Sequence, residues 1–285
     1  MDGDAYFSVC RERVEAALQE ALPPAGQRPA RLTGAIRYSV QVGGKRLRPM
    51  LCLAAAEAAG GDWRAALPAA VAVELLHTYT LVHDDLPCMD NDLIRRGQPT
   101  VHAKYGEALG VLVGDALQAL AFEVLVRDAA ADPGRARRWV SELALAAGPA
   151  GVVGGQVEDV AEAGATDPDT LAFVHQHKTA DLFRAALRMG AIGGGASDAV
   201  VETLGAYGSH LGLAFQIIDD LLDAPGEGTP DGPPDELTCL TLWTPGEARE
   251  HATRHTGQAI DALEGLPGPA TPLRDLARRM LQRVV

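Results

Sequence analysis

Lysine is scarce in this 285-residue chain: three of its 25 basic residues are lysines and the rest are arginines. Aromatic residues make up only 5% of the sequence, while alanine, leucine and glycine dominate. That balance favours helices over strands, because strands are built from β-branched and aromatic residues, whereas Ala and Leu lose little in a helix. The four cysteines, Cys10, Cys52, Cys88 and Cys239, lie far apart and form no C-x-x-C pair. A disulfide framework and a thiolate zinc site are therefore not expected, and a reducing, cytoplasmic location is. No run of about 18 uncharged apolar residues is present, so no stable membrane insertion is expected. The first residues, with Asp2, Asp4, Arg11 and Arg13 among short apolar stretches, lack the apolar region of a signal peptide. There is also no surplus of positive charge. A net charge of −13 argues against a nucleic-acid partner, and it means that any anionic small molecule must be held by metal ions or by a local concentration of arginine and lysine.

What is present is helical periodicity from end to end, interrupted at Gly/Pro clusters. Pro23-Pro24, Gly60-Gly61, Asp132-Pro133-Gly134, Gly164 to Pro168 and Gly193 to Gly195 are such breaks. Asp167-Pro168 ahead of Asp169-Thr170-Leu171 reads as a helix start. The stretch Ala224 to Pro234 is a loop by composition. No period-2 strand run of useful length and no internal repeat is found. The expectation is an all-α, single-domain helical bundle over residues 1–285, with about ten helices.

Two segments each gather three aspartates beside apolar helix. One runs from Leu81 to Asp92 and contains Asp84, Asp85 and Asp90; the other runs from Phe215 to Asp223 and contains Asp219, Asp220 and Asp223. Asp219 and Asp223 are four residues apart and share a helix face, where like charges repel unless a cation lies between them. In the first segment Pro87 is expected to end the regular helix and let Asp90 fold back towards Asp84. One such cluster is ordinarily solvated surface. Two, each following an apolar run, point to oxygen ligation of a hard cation, Mg²⁺ before Zn²⁺.

In this order the sequence also carries Gly43-Gly44-Lys45-Arg46-Leu47-Arg48-Pro49, Glu74 through His77, and Arg95-Arg96-Gly97-Gln98-Pro99-Thr100. Gly114-Asp115-Ala116-Leu117, Gly154-Gly155-Gln156, Lys178-Thr179 and Phe215-Gln216 follow. From about Leu32 to Leu222 the chain resembles the trans-isoprenyl diphosphate synthases, the family of farnesyl and geranylgeranyl diphosphate synthases. The resemblance implies a helical bundle around a deep central cavity, usually a homodimer. It implies that Asp84, Asp85 and Asp90 face Asp219, Asp220 and Asp223 across the cavity mouth and hold three Mg²⁺ on an allylic diphosphate, with Arg95 and Lys178 adding positive charge. Gly44, Lys45, Arg48, His77 and Arg96 are the matching positions for isopentenyl diphosphate, whose phosphates suit guanidinium forks. Thr179 and Gln216 match positions beside the allylic cation. Two of the three lysines, Lys45 and Lys178, fall at implied diphosphate positions. Lys104 is expected on the surface, and His83, His175 and His177 are given no role.

In this family the residues just upstream of the first cluster help set product length. Tyr79, five before Asp84 and followed by Thr80, implies a bulky cavity floor and the fifteen-carbon product, farnesyl diphosphate. Geranyl or geranylgeranyl diphosphate is the nearest alternative. A terpene cyclase would leave the Gly43 to Pro49 segment and Arg96 without purpose, and a non-catalytic subunit of a heteromeric synthase would not need both aspartate clusters. The sequence departs from the family pattern after the second cluster: residues 224–248 contain no lysine or arginine, and Glu236 stands roughly where the family has a lysine before Thr238. That departure implies weaker charge compensation at the allylic diphosphate.

Overall fold

The computed structural model describes residues 3–127, 131–161, 167–223 and 238–285. Glu236 and most of the lysine-free stretch lie outside the described residues. Among those described are thirteen α-helices: α1 (Gly3–Ala21), α2 (Ala30–Gln41), α3 (Leu47–Ala58), α4 (Leu67–Asp84), α5 (Val101–Tyr105), α6 (Glu107–Val126), α7 (Pro133–Ala147), α8 (Val152–Ala161), α9 (Pro168–Val174), α10 (Asp181–Gly193), α11 (Asp198–Asp223), α12 (Pro245–Ala262) and α13 (Thr271–Leu281). The excess over about ten comes from short pieces such as the five-residue α5 and seven-residue α9, which are too brief to show a period. One hairpin of two-residue strands, β1 (Ile94–Arg95) and β2 (Gln98–Pro99), is antiparallel, with Arg95 opposite Gln98.

The helix starts follow local chemistry. Asp167 caps α9 by accepting the Thr170 backbone N–H at 2.9 Å, and Asp132 caps α7 through the Arg135 N–H, each with proline in the first turn. Thr244 and Glu247 form a reciprocal capping box on α12. The bundle is arranged around α4 and α10. Helix α4 packs against α6 and α3, and α10 against α3 and α11. Most residues of α4 are buried, and the core joins residues from α1 to α13.

By length and apolarity alone, two helical stretches resemble membrane spans, Trp63–Asp84 and Glu107–Val126. The first is the buried centre of the bundle. The second, α6, buries one face against α4 and leaves Val111, Leu112 and Val126 exposed.

Helix α4 ends at Asp84, with Asp85 as its cap, three residues before the proline expected to end it. The turn that follows closes on itself: the Asp90 N–H donates to the Asp84 carbonyl at 2.9 Å, and the Asn91 N–H to that of Leu86 at 3.1 Å. Asp90 does fold back towards Asp84, and Pro87 has no N–H for the His83 carbonyl, which accepts from the Leu86 N–H at 3.1 Å instead.

Candidate active site

A cavity of about 650 Å³ opens between α4, α8 and the segment joining α9 to α10. It falls within the range of small-molecule sites, about 300–1,000 Å³. Its walls are mainly apolar, supplied by Val152, Val153, Val157 and Val160 of α8 and by Leu182; polar groups enter from Arg48, His77, Thr80, His83, Asp84, Gln156, Lys178 and Thr179. Tyr79 lines it, is 7% exposed and sits edge-on to His83, with ring centroids 5.5 Å apart.

Lys178 and Thr179 lie in a π-helical segment, His175–Ala180. A π turn inserts an extra residue and breaks the regular spacing, so consecutive side chains are re-aimed; such turns concentrate at functional sites. The buried carboxylate of Asp181 anchors the turn. It accepts from Gln176 at 2.9 Å and lies 2.7 Å from His177 Nδ1. Gly155 allows α8 to approach: a Cβ there would lie 2.3 Å from the Lys178 backbone nitrogen.

The carboxylates divide. Asp84 lines the cavity and its pKa is pushed up to about 7, by burial first, with Asp90 and Asp85 adding to the rise against Lys178. Asp90 is exposed and also raised, chiefly by desolvation. Asp85 points to the other side of α4, into a small pocket with Glu74, Arg95 and Arg96. There it pairs with Arg95 at 2.6 Å. In the second cluster Asp219 is half-buried and raised by burial, against Lys45 and Arg283; Arg283 Nη1 lies 3.6 Å from its carboxylate. Asp223 is exposed. Asp220 is buried, and both of its oxygens are occupied by protein groups. The sequence reading placed all six aspartates alike; the structure turns Asp85 and Asp220 onto protein donors, because neighbours on a helix point about 100° apart.

The basic side follows the same logic. Gly43 and Gly44 both have positive φ, +86° and +155°, and a Cβ on Gly44 would collide with the Arg96 guanidinium, which donates to the Gly43 carbonyl. Arg46 is 3% exposed and is consumed by structure, with Glu74 at 2.7 Å, Glu15 at 2.8 Å and the Val40 carbonyl at 2.6 Å. Arg48 lies over the Phe183 ring and 3.3 Å from His77 Nε2. Burial lowers its pKa to about 10, and its Nε has no hydrogen-bond partner. His77 is held well below its usual range by burial and by Arg48, Arg96, Arg95 and Arg46 around it, so a neutral ring faces the guanidinium. Arg48, with its orphaned buried donor, and Arg96 form a cradle suited to an anion. Lys45 is exposed beside Phe215, and Lys104 lies exposed against the Tyr38 ring.

Sequence reasoning passed over Asp159. It sits 2.5 Å from Lys178 Nζ and contributes to raising Asp90. Its place three residues after Gln156 on α8 was the available signal. Arg283 gave none, since only the fold brings the residues after α13 to α11.

The polyprenyl synthetase family model matches residues 29–234. The chain belongs to this family. It is 43% identical over 281 residues to geranylgeranyl pyrophosphate synthase 7, chloroplastic, of Arabidopsis thaliana, covering 94% of this chain and 81% of that one. It is 41% identical to a dimethylallyltranstransferase of Fischerella ambigua, covering 98% and 83%. Among solved structures, an FPP/GFPP synthase from Zymomonas mobilis superposes with a TM-score of 0.88 at 39% identity over 98% of this chain and 99% of that one. The protein is thus a prenyltransferase of all-α isoprenoid-synthase fold acting on prenyl diphosphates. The family generally uses Mg²⁺. Among the described residues no three ligating side chains converge as a preformed metal centre. The residues nonetheless fit the ion: oxygen-only donors, with Asp84, Asp90 and Asp219 raised first by burial and further by neighbouring carboxylates, suit a hard cation that takes its remaining ligands from phosphate and water.

Proposed function

We propose that this protein condenses isopentenyl diphosphate with dimethylallyl and geranyl diphosphates to give mainly farnesyl diphosphate. The observation that carries the reading is the cavity itself, polar at Asp84 and Lys178, apolar along α8, with the buried Tyr79 on its wall. Asp84 and Asp90 from one side, and Asp219 and Asp223 from the other, would hold three Mg²⁺ around the allylic diphosphate. The bound ions supply electrophilic stabilisation of the leaving diphosphate. Lys178 exchanges its contact with Asp159 for diphosphate oxygens, and Arg95, steadied by Asp85, adds a second cation. Arg48, Lys45 and Arg96, with His77 as a neutral hydrogen-bonding partner, hold isopentenyl diphosphate so that its alkene faces the allylic carbon. Thr179 and Gln216 turn oxygen dipoles towards developing positive charge. The apolar α8 wall excludes water, which would otherwise trap the cation as an alcohol.

Geranylgeranyl diphosphate is the second reading, favoured by the names of the plant relatives; Tyr79 favours the shorter chain. The exposed apolar side of α6, with Val111, Leu112 and Val126, supports a homodimer, since such a face is covered in most soluble proteins. Four free cysteines are in keeping with a reducing, cytoplasmic setting.

The test is product analysis with purified protein, Mg²⁺, isopentenyl diphosphate and each of dimethylallyl, geranyl and farnesyl diphosphate. Farnesyl diphosphate is the expected main product from the first two. Twenty-carbon product as the main species would overturn Tyr79 as the stop, and no condensation would overturn the reaction.

A further inference from the structure

Thr179 and Gln216 meet where the π turn crosses α11, and their hydrogen bond is the first of a chain. The Thr179 hydroxyl donates to Gln216 Oε1 at 2.7 Å. Gln216 Nε2 donates to Asp220 Oδ1 at 2.8 Å, one helical turn onward. The other carboxylate oxygen of Asp220 accepts the Cys239 backbone N–H at 2.7 Å and lies 3.3 Å from His175 Nε2. Thr179 and Asp220 are both only 7% exposed.

Asp220 accepts at both oxygens, from Gln216 Nε2 and from the Cys239 N–H. Gln216 must therefore turn its NH₂ towards Asp220, which leaves its oxygen for Thr179. A hydroxyl has one proton to give, and here it is committed to Gln216. What Thr179 presents to the cavity it lines is an oxygen lone pair.

We propose that Asp220 is a positioning residue and not a metal ligand: through Gln216 it locks the Thr179 hydroxyl so that its lone pair faces the site of developing allylic charge. This rests on the prenyl-transfer reading given above. A freely rotating hydroxyl would spend part of its time with the proton towards the cation, the wrong end of the dipole. A locked one is preorganised and needs no reorientation as charge develops. Asp220 thus acts on the reaction from two hydrogen bonds away without touching substrate.

Asp220→Asn tests this at constant shape. The Cys239 N–H still requires an acceptor, so the Asn oxygen stays there and its NH₂ turns to Gln216. Gln216 then flips, donates to Thr179, and sends the hydroxyl proton into the cavity. With geranyl and isopentenyl diphosphates, kcat is expected to fall at least about tenfold, with both KM values and the Mg²⁺ concentration for half-maximal rate unchanged. Adding Gln216→Glu restores an acceptor that takes both hydrogen bonds, and is expected to recover most of the lost kcat. Calorimetry with inorganic diphosphate gives a readout free of turnover: Mg²⁺-dependent binding is retained in Asp220→Asn and weakened in Asp219→Asn. Weakened binding in Asp220→Asn, an unchanged kcat, or failure of Gln216→Glu to rescue it would each overturn the proposal. Wild-type protein that condenses nothing would instead sink the prenyl-transfer reading, and the calorimetric comparison would still decide whether Asp220 serves the metals.

Discussion

The acidic rim of the cavity is held against its own electrostatics, and removing one charge is expected to stabilise the metal-free protein. Asp84 is the group to change. A tenfold change in proton affinity is worth about 1.4 kcal/mol, so raising its carboxyl from 3.8 to about 7 sets a ceiling of about 4 kcal/mol on the cost of its charge at alkaline pH. Its position at the open cavity admits solvent, and screening reduces this to about 2 kcal/mol. The sign follows from proton binding. A carboxyl with a raised folded-state pKa is neutral in both states below 3.8, so it costs nothing there; the cost grows as pH rises and is complete above about 7. Asp84→Asn removes the cost and strands no cation, because Lys178 keeps Asp159 at 2.5 Å. Urea denaturation in the presence of EDTA should show the variant more stable by about 2 kcal/mol at pH 8 but by less than about 1 kcal/mol at pH 5. For a chain of this size the pH 8 gain corresponds to a thermal shift of about 3 °C, while prenyl transfer is lost. A variant no more stable than wild type at pH 8, or a gain that does not change with pH, would refute the reasoning.

Tyr79→Ala should move products from fifteen carbons to twenty and beyond, read by chromatography of the dephosphorylated alcohols, at about 3 kcal/mol in stability from the cavity created; an unchanged product length would show that another residue stops elongation. Arg46→Met leaves Glu74, whose side chain is 4% exposed, charged and unpaired, a loss of about 3–5 kcal/mol visible in the urea midpoint. Combining it with Glu74→Leu should recover most of that loss. Gly155→Ala sets a Cβ against the Lys178 backbone, so the π turn must shift; activity should fall about tenfold or more with helix content by circular dichroism preserved.

Much of this protein is decided by short-range patterns, and those are readable in one dimension. Asp167-Pro168 and Asp132-Pro133 start helices because a side-chain oxygen three residues away satisfies a backbone N–H, a purely local bond. Scarce aromatics and abundant alanine set the all-α class. The aspartate clusters and Lys178-Thr179 are recognisable because their spacing is local, and the family follows from several such motifs in order.

Only the tertiary structure decided which way each of those groups is turned and what it meets. Asp84 and Asp85 are neighbours in sequence, yet one lines the cavity and the other pairs with Arg95, ten residues on. Lys178 is matched by Asp159, Arg46 by Glu74 and Asp219 by Arg283, contacts that span 19, 28 and 64 positions and depend on helix packing. The π turn at His175–Ala180 left no periodic signature, since it shifts the register by a single residue between two ordinary helices. For Asp220 the sequence supplies a carboxylate in an acidic motif. The fold buries it, fills both oxygens with Gln216 and the Cys239 N–H, and so fixes its role by the partners that remain within reach, which the order of residues along a chain does not specify.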